Sequence, residues 1–228
     1  MAIQTETLRR MEEVEGYSRW LVDRARPYLG RRVLDVGAGI GSFSEMIAEG
    51  RELLVALEPD QEFARRLRDR LGDRSNVLVV AGSVGDLPAE LPPLDSALCF
   101  NVLEHIADDA GALASLRARL TPGGHLLLLT PAHPFLFGSL DRELHHERRY
   151  RRRELGRLLA GAGFELEQLR YVNPLGGLGW LVCSRLLRRP ILPRGPLRAY
   201  DRLVPLMRAL DGLRLPFGLS VWAVARAA

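Results

Sequence analysis

Residues 33–43 run Val-Leu-Asp-Val-Gly-Ala-Gly-Ile-Gly-Ser-Phe, an apolar run and an acid followed by Gly37, Gly39 and Gly41 before a helical pattern begins. The apolar run suits a parallel strand buried on both faces. Glycines at every second position let the chain turn tightly and let its backbone approach a ligand. A related spacing, G-x-G-x-x-G, seats a pyrophosphate on a helix N-terminus. Here the spacing is G-x-G-x-G, and Asp35 stands two residues before the first glycine. A carboxylate there favours a ligand carrying an ammonium group over one carrying phosphates.

The rest of the chain alternates in the same way. A second apolar run, residues 53–57, ends in Glu58-Pro59-Asp60. That acid lies about 20 residues past the glycines, where a ribose-binding acid belongs in a doubly wound sheet. Further runs at 76–81, 94–100 and 126–130 are accompanied by Gly82-Ser83-Val84-Gly85-Asp86, Asn101-Val102-Leu103-Glu104-His105-Ile106 and Pro122-Gly123-Gly124. Helical patterns fall at 42–49, 61–71, 109–120 and 153–162, with Asp60 and Asp109 expected as N-caps. Strands six and seven are expected at 164–172 and 219–225. Strands alternating with helices of this length predict an α/β protein with helices on both faces of a mostly parallel sheet.

These segments, in this order, resemble the motifs of the class I S-adenosylmethionine-dependent methyltransferases over residues 10–172 and the last strand. The resemblance implies a Rossmann-like, doubly wound, seven-stranded sheet whose last strand runs antiparallel between strands five and six. It implies S-adenosylmethionine as cofactor. Asp35, Gly37, Ala38, Gly39 and Gly41 would hold the methionine moiety, and Glu58 with Pro59 the ribose. Ser83 and Val84 would meet the adenine; Ser83 stands where the family commonly has an aspartate, with Asp86 as a substitute. Asn101 and Val102 would lie near the methionine end and the adenosine. A helical cover over residues 1–30 would bring Tyr17 to the edge of the site.

A branch of small-molecule methyltransferases carries a similar P-A segment followed by an acid, a G-H and an R-R-Y. This chain has Pro131-Ala132-His133, Asp141, His145-His146 and Arg148-Arg149-Tyr150. His146 takes the family histidine's place, and His133, His146 and Tyr150 are the catalytic candidates. A histidine titrates near neutral pH and suits a general base on an acceptor hydroxyl. The expected reaction is methyl transfer to a small or lipid-like metabolite at a hydroxyl or carboxyl oxygen. The alternatives are methylation of an activated carbon, a non-catalytic cofactor-binding subunit, and a nicotinamide oxidoreductase. His105 and His125 read as structural.

Several chemistries are set aside. Base-amino methylation expects N-P-P-F or D-P-P-Y after strand four, and neither Cys99 nor Cys183 follows a proline as a cytosine-methylating nucleophile would. No basic stripe interleaved with aromatics is visible, so nucleic acid is not an expected partner. Asn101 replaces the acidic cluster of metal-dependent catechol methylation, and no metal is expected. All 32 basic residues are arginine, which rules out a lysine Schiff base or lysine general base.

A chain of 228 residues, 47% hydrophobic and 26% charged, suits one globular domain over 1–228. Two cysteines in apolar segments read as thiols of a reducing compartment, and no leader pattern or bilayer-length apolar stretch is seen, so a cytoplasmic location is expected. Residues 173–217 exceed the short hairpin that closes a minimal fold of this type. They read as a helical insertion with amphipathic patterns at 178–189 and 197–213, serving as a lid, substrate wall, dimer contact or shallow membrane contact.

Overall fold

The computed structural model describes Glu6, Arg10 and residues 14–191 and 200–228. The start of the expected N-terminal cover, including Leu8 and Met11, and the first part of the second insertion pattern lie outside the described residues. The strands are β1 (Arg32–Val36), β2 (Leu53–Glu58), β3 (Val77–Ala81), β4 (Leu94–Phe100), β5 (Leu120–Pro131), β6 (Phe164–Val172) and β7 (Ser220–Ala227). They form one seven-stranded sheet in the order β3-β2-β1-β4-β5-β7-β6. Strands β1 to β5 pair in parallel, and β7 runs antiparallel to both β5 and β6, as expected.

The near-continuous apolar runs follow from burial on both faces. Leu34, Val55, Ala97 and Leu126 pack into one core, while their neighbours Val33, Leu54, Leu98 and Leu127 pack into the other. The helices covering these faces are α1 (Glu15–Ala25), α2 (Ser42–Ala48), α3 (Gln61–Leu71), α4 (Asp109–Arg119), α5 (Ser139–Glu143) and α6 (Arg152–Gly161). The insertion supplies α7 (Pro174–Trp180), a π-helical continuation over Leu181–Leu186, and α8 (Val204–Gly212). Among the described residues, no helix is long and apolar enough to cross a membrane.

Asp60 caps α3, accepting from the backbone amides of Glu62 and Phe63 at 2.8 and 3.0 Å. The expected cap of α4 is corrected by one residue. Asp108 accepts from the Gly111 amide at 2.9 Å, while the Asp109 carboxylate is taken by Arg148 and the Tyr150 hydroxyl, both at 2.9 Å. Tertiary partners thus claim the acid that local pattern assigns to the cap. The first insertion helix starts at Pro174, four residues before its apolar pattern, because Asn173 caps it and Pro174 suits the first helical position.

The insertion is tied to the N-terminal helix through a buried ion pair. Arg24 on α1 reaches Asp211 on α8 at 2.8 Å, and the other Asp211 oxygen accepts from the Asn173 amide at 2.9 Å. The Tyr17 amide donates to Asp201 at 3.0 Å. Cover and insertion therefore close over the same end of the sheet.

Candidate active site

A cavity of about 1060 Å³ opens at the carboxyl ends of the central strands. That is where ligands bind in open α/β sheets. On its first side the glycine loop leaves β1 and enters α2. Gly37 has φ +65°, and a Cβ there would lie 2.5 Å from Val102 Cγ2, so only glycine lets the tip of β4 pack on the loop. Gly37 and Gly39 line the cavity; Ala38 and Gly41 do not. Ala38 instead donates its amide to the Leu57 carbonyl at 2.9 Å, and Gly41 packs at φ +89° over Leu67 of α3.

Asp35 is buried below the loop and is absent from the cavity wall. Its Oδ2 accepts from the Ser44 hydroxyl at 2.5 Å, so it clamps the first turn of α2 to the end of β1. Burial pushes its carboxyl up to about 7, and the nearby Glu58 adds to the rise. Glu58 lines the cavity, accepting from the Gly39 amide at 2.8 Å and the Asp60 amide at 2.9 Å. A carboxylate has about four lone-pair sites, so two remain for a ligand's hydroxyls. Burial raises its pKa against the pull of those amides.

Pro59, Ser83, Val84, Asn101, Val102 and Tyr17 also line the cavity. Ser83 gives its hydroxyl proton to Asp86 at 2.8 Å and can still accept. Asn101 holds a left-handed conformation, φ 53°, which asparagine tolerates better than most residues.

The catalytic candidates part company. His146 lines the cavity, and its Nδ1 lies 3.0 Å from Asp141 Oδ1. Asp141 is fully buried, yet Arg149 at 2.6 Å, Trp180 at 3.1 Å and the Gly138 amide at 2.9 Å all donate to it. Burial alone would raise its pKa; His146, Arg149 and the Gly138 amide hold it below the usual carboxylate range. His133 lies off the cavity wall, stacked on Tyr171 and Phe217 at 4.3 and 5.2 Å between ring centroids. Tyr150 is buried behind the wall, where it donates to Asp109 and the Leu103 carbonyl. Burial and Asp109 push its pKa well above the ordinary tyrosine range, which suits a brace.

Sequence reasoning gave Glu104 no role in the site and left Asp141 as the motif's acid, without its place behind His146. Glu104 is completely buried on the cavity wall, and burial pushes it up to about 8, offset in part by its own backbone amide and the Arg149 charge. It stands inside the L-E-H tail of strand four, directly after the buried Leu103, and no local signal sets it apart from an exposed glutamate. The insertion contributes Leu175, Trp180, Cys183 and Tyr200 to the far wall.

A methyltransferase-domain family model matches residues 10–169. A protein of Mycolicibacterium smegmatis, named as a probable S-adenosylmethionine-dependent methyltransferase, is 31% identical over 140 residues, 60% of this chain and 53% of that protein. A tRNA U34 carboxymethyltransferase of Saccharophagus degradans is 31% identical over 146 residues, 60% of this chain and 44% of that protein. The chain spans about half the length of the curated relatives it matches. Among solved structures, the complex of the Haloferax volcanii Trm112 methyltransferase activator with a methyltransferase matches with TM-score 0.69 at 16% identity, covering 99% of this chain and 94% of that one. An S-adenosylmethionine-dependent methyltransferase from Mesorhizobium loti matches with TM-score 0.64 at 17% identity, covering 93% and 99%. At such identities the structures establish the shared fold. The chain belongs to the methyltransferase-domain family, within the class I S-adenosylmethionine-dependent methyltransferases.

Proposed function

We propose that the chain transfers the methyl group of S-adenosylmethionine to a hydroxyl of a small or lipid-like acceptor. The carrying observation is that one cavity joins the glycine loop and Glu58 to the His146–Asp141–Arg149 chain. The glycine loop would take the methionine end, the free lone pairs of Glu58 the ribose hydroxyls, and Ser83 the adenine amino group. Methyl transfer is an in-line displacement at carbon, and alignment of two bound reactants alone supplies effective molarities of about 10⁵–10⁸ M. With Asp141 ionised, the His146 proton sits on Nδ1, which leaves Nε2 as the acceptor for the hydroxyl's proton. Leu175, Trp180 and Cys183 from the insertion would form the acceptor's apolar wall.

The test is transfer of isotope-labelled methyl from S-adenosylmethionine to a panel of phenols, aliphatic alcohols, sugars and fatty acids. Unmodified tRNA forms a separate arm, because relatives include tRNA U34 carboxymethyltransferases. The reading expects labelled product from a hydroxyl compound and a loss of about 10²–10⁴-fold in turnover for His146→Ala, with cofactor affinity unchanged. Labelling of tRNA alone would overturn the small-acceptor assignment. Full activity in His146→Ala would overturn the role of the base.

A further inference from the structure

Glu104 and His105, from the tail of β4, meet His146 from the loop after α5, and one candidate ligand atom of each lies within 4.8 Å of the other two. Neither Glu104 oxygen has a hydrogen-bond partner among the described residues, although the side chain is wholly buried. A buried carboxyl left without partners is costly whether it keeps its proton or ionises, and a bound cation would offset that cost. Arg149 acts on it by charge but does not hydrogen-bond to it. Its Nε and Nη1 are spent on Asp141 and the Ala132 carbonyl, and Nη2 reaches no partner among the described residues.

Both imidazoles are arranged as neutral ligands. Nδ1 of His105 lies 3.3 Å from the His145 carbonyl, and Nδ1 of His146 lies 3.0 Å from the Asp141 carboxylate. Each ring can therefore donate from Nδ1 and keep the Nε2 lone pair open. Metal-bound histidines carry this arrangement almost always, with the second nitrogen fixed by a carbonyl or carboxylate. Asp141 is itself immobilised by Arg149, Trp180 and the Gly138 amide.

We propose that Glu104, His105 and His146 bind one divalent first-row transition-metal ion at the acceptor end of the cavity, leaving a coordination position open to the acceptor hydroxyl. Two imidazoles and one carboxylate suit zinc or manganese better than magnesium or calcium, which prefer oxygen ligands. Bonds of about 2.0–2.1 Å place tetrahedral neighbours about 3.3 Å apart, so the three atoms must close by up to about 1.5 Å. His105, exposed at the cavity mouth, has room to move. The expectation that a metal needs an acidic cluster at Asn101 looked only at the strand tip, while the third ligand arrives from forty-one positions after His105.

In the metal-bound state His146 would be a ligand, so the base role proposed for it would hold for the metal-free protein. An acceptor hydroxyl at the open position would have its pKa lowered by the ion and would release its proton to solvent. Its oxygen then forms the bond to the methyl carbon as the carbon–sulfur bond breaks and its electron pair stays on sulfur. This last step rests on the proposed methyl transfer to a hydroxyl; the binding site itself does not.

The protein is stripped with a chelator and titrated calorimetrically with Zn²⁺ and, separately, with S-adenosylmethionine. One equivalent of Zn²⁺ should bind and raise the melting temperature. Glu104→Gln and His105→Ala should weaken Zn²⁺ binding by more than about 10-fold, the scale on which even partners behind the ligands act. His125→Ala, in the half-buried pair with Glu167 away from the cavity wall, should bind Zn²⁺ as the parent does. No saturable Zn²⁺ binding, or equal binding by folded His105→Ala and Glu104→Gln, overturns the site even if S-adenosylmethionine binds. Zn²⁺ binding without cofactor binding supports the site and overturns the methyl-transfer reading instead.

Discussion

At the scale of single residues, the cofactor end of the cavity depends on two fits that have little slack. Gly37 sits at φ +65° with Val102 where a Cβ would go, so Gly37→Ala should cost about 1–3 kcal/mol from the left-handed backbone alone, with the clash added. Thermal melts should show the loss, and calorimetry a weaker cofactor. Asp35 gives a pH signature. Its carboxyl is raised from 3.8 to about 7 by burial, with Glu58 contributing and the Ser44 hydroxyl opposing, so the folded state holds the proton more tightly than the unfolded chain. Stability from this group is therefore greatest at low pH, falls between about pH 4 and about pH 7, and stays low above that. In Asp35→Asn, whose amide oxygen can still accept from Ser44, that fall should disappear. Melting curves taken across this range would show the variant gaining on the parent as pH rises; a constant difference would mean Asp35 titrates normally. The glycine spacing and the acid were plain in the sequence. The direction of the Asp35 side chain was not, because it depends on where Ser44 lands after α2 forms.

At the scale of elements, the insertion links the acceptor wall to the N-terminal cover. The Arg24–Asp211 pair is nearly buried, with side-chain exposures of 12% and 4%. Asp211→Ala strands Arg24 beside the Trp20 and Trp222 rings and frees the Asn173 amide, so it should cost about 3–5 kcal/mol in denaturant unfolding. Trp180 donates to Asp141 and lies 4.7 Å under the Arg149 guanidinium. Trp180→Ala should raise KM for the acceptor and leave cofactor affinity unchanged; a change confined to the cofactor would place the acceptor elsewhere. Strands β1 to β4 and α3 were legible nearly to the residue, since apolar runs between turn residues are local signals, whereas β5 starts at Leu120, six residues before its expected run. The Asp109 cap was misread because Arg148 and Tyr150, some forty residues later, compete for the carboxylate. His133 was read as a catalytic candidate alongside His146, yet its ring is drawn into a stack with Phe217 at the far end of the insertion.

At the scale of the whole molecule, alternation predicted a mostly parallel sheet, and the resemblance implied its last strand between strands five and six, as the observed order β3-β2-β1-β4-β5-β7-β6 has it. The convergence of Glu104 with His146 and Trp180 was not legible, because it exists only once the loop after β5 and the insertion close on the tail of β4. The central claim is that this cavity holds S-adenosylmethionine across the glycine loop, with Glu58 on the ribose. Calorimetric titration of the parent and Glu58→Ala with S-adenosylmethionine, its demethylated product and NAD tests it most directly. The account predicts binding of the first two, no binding of NAD, and a loss of about 1.5–3 kcal/mol in Glu58→Ala from removal of a charged hydrogen-bond acceptor. Binding of NAD alone, or an affinity for S-adenosylmethionine that Glu58→Ala leaves untouched, would contradict it.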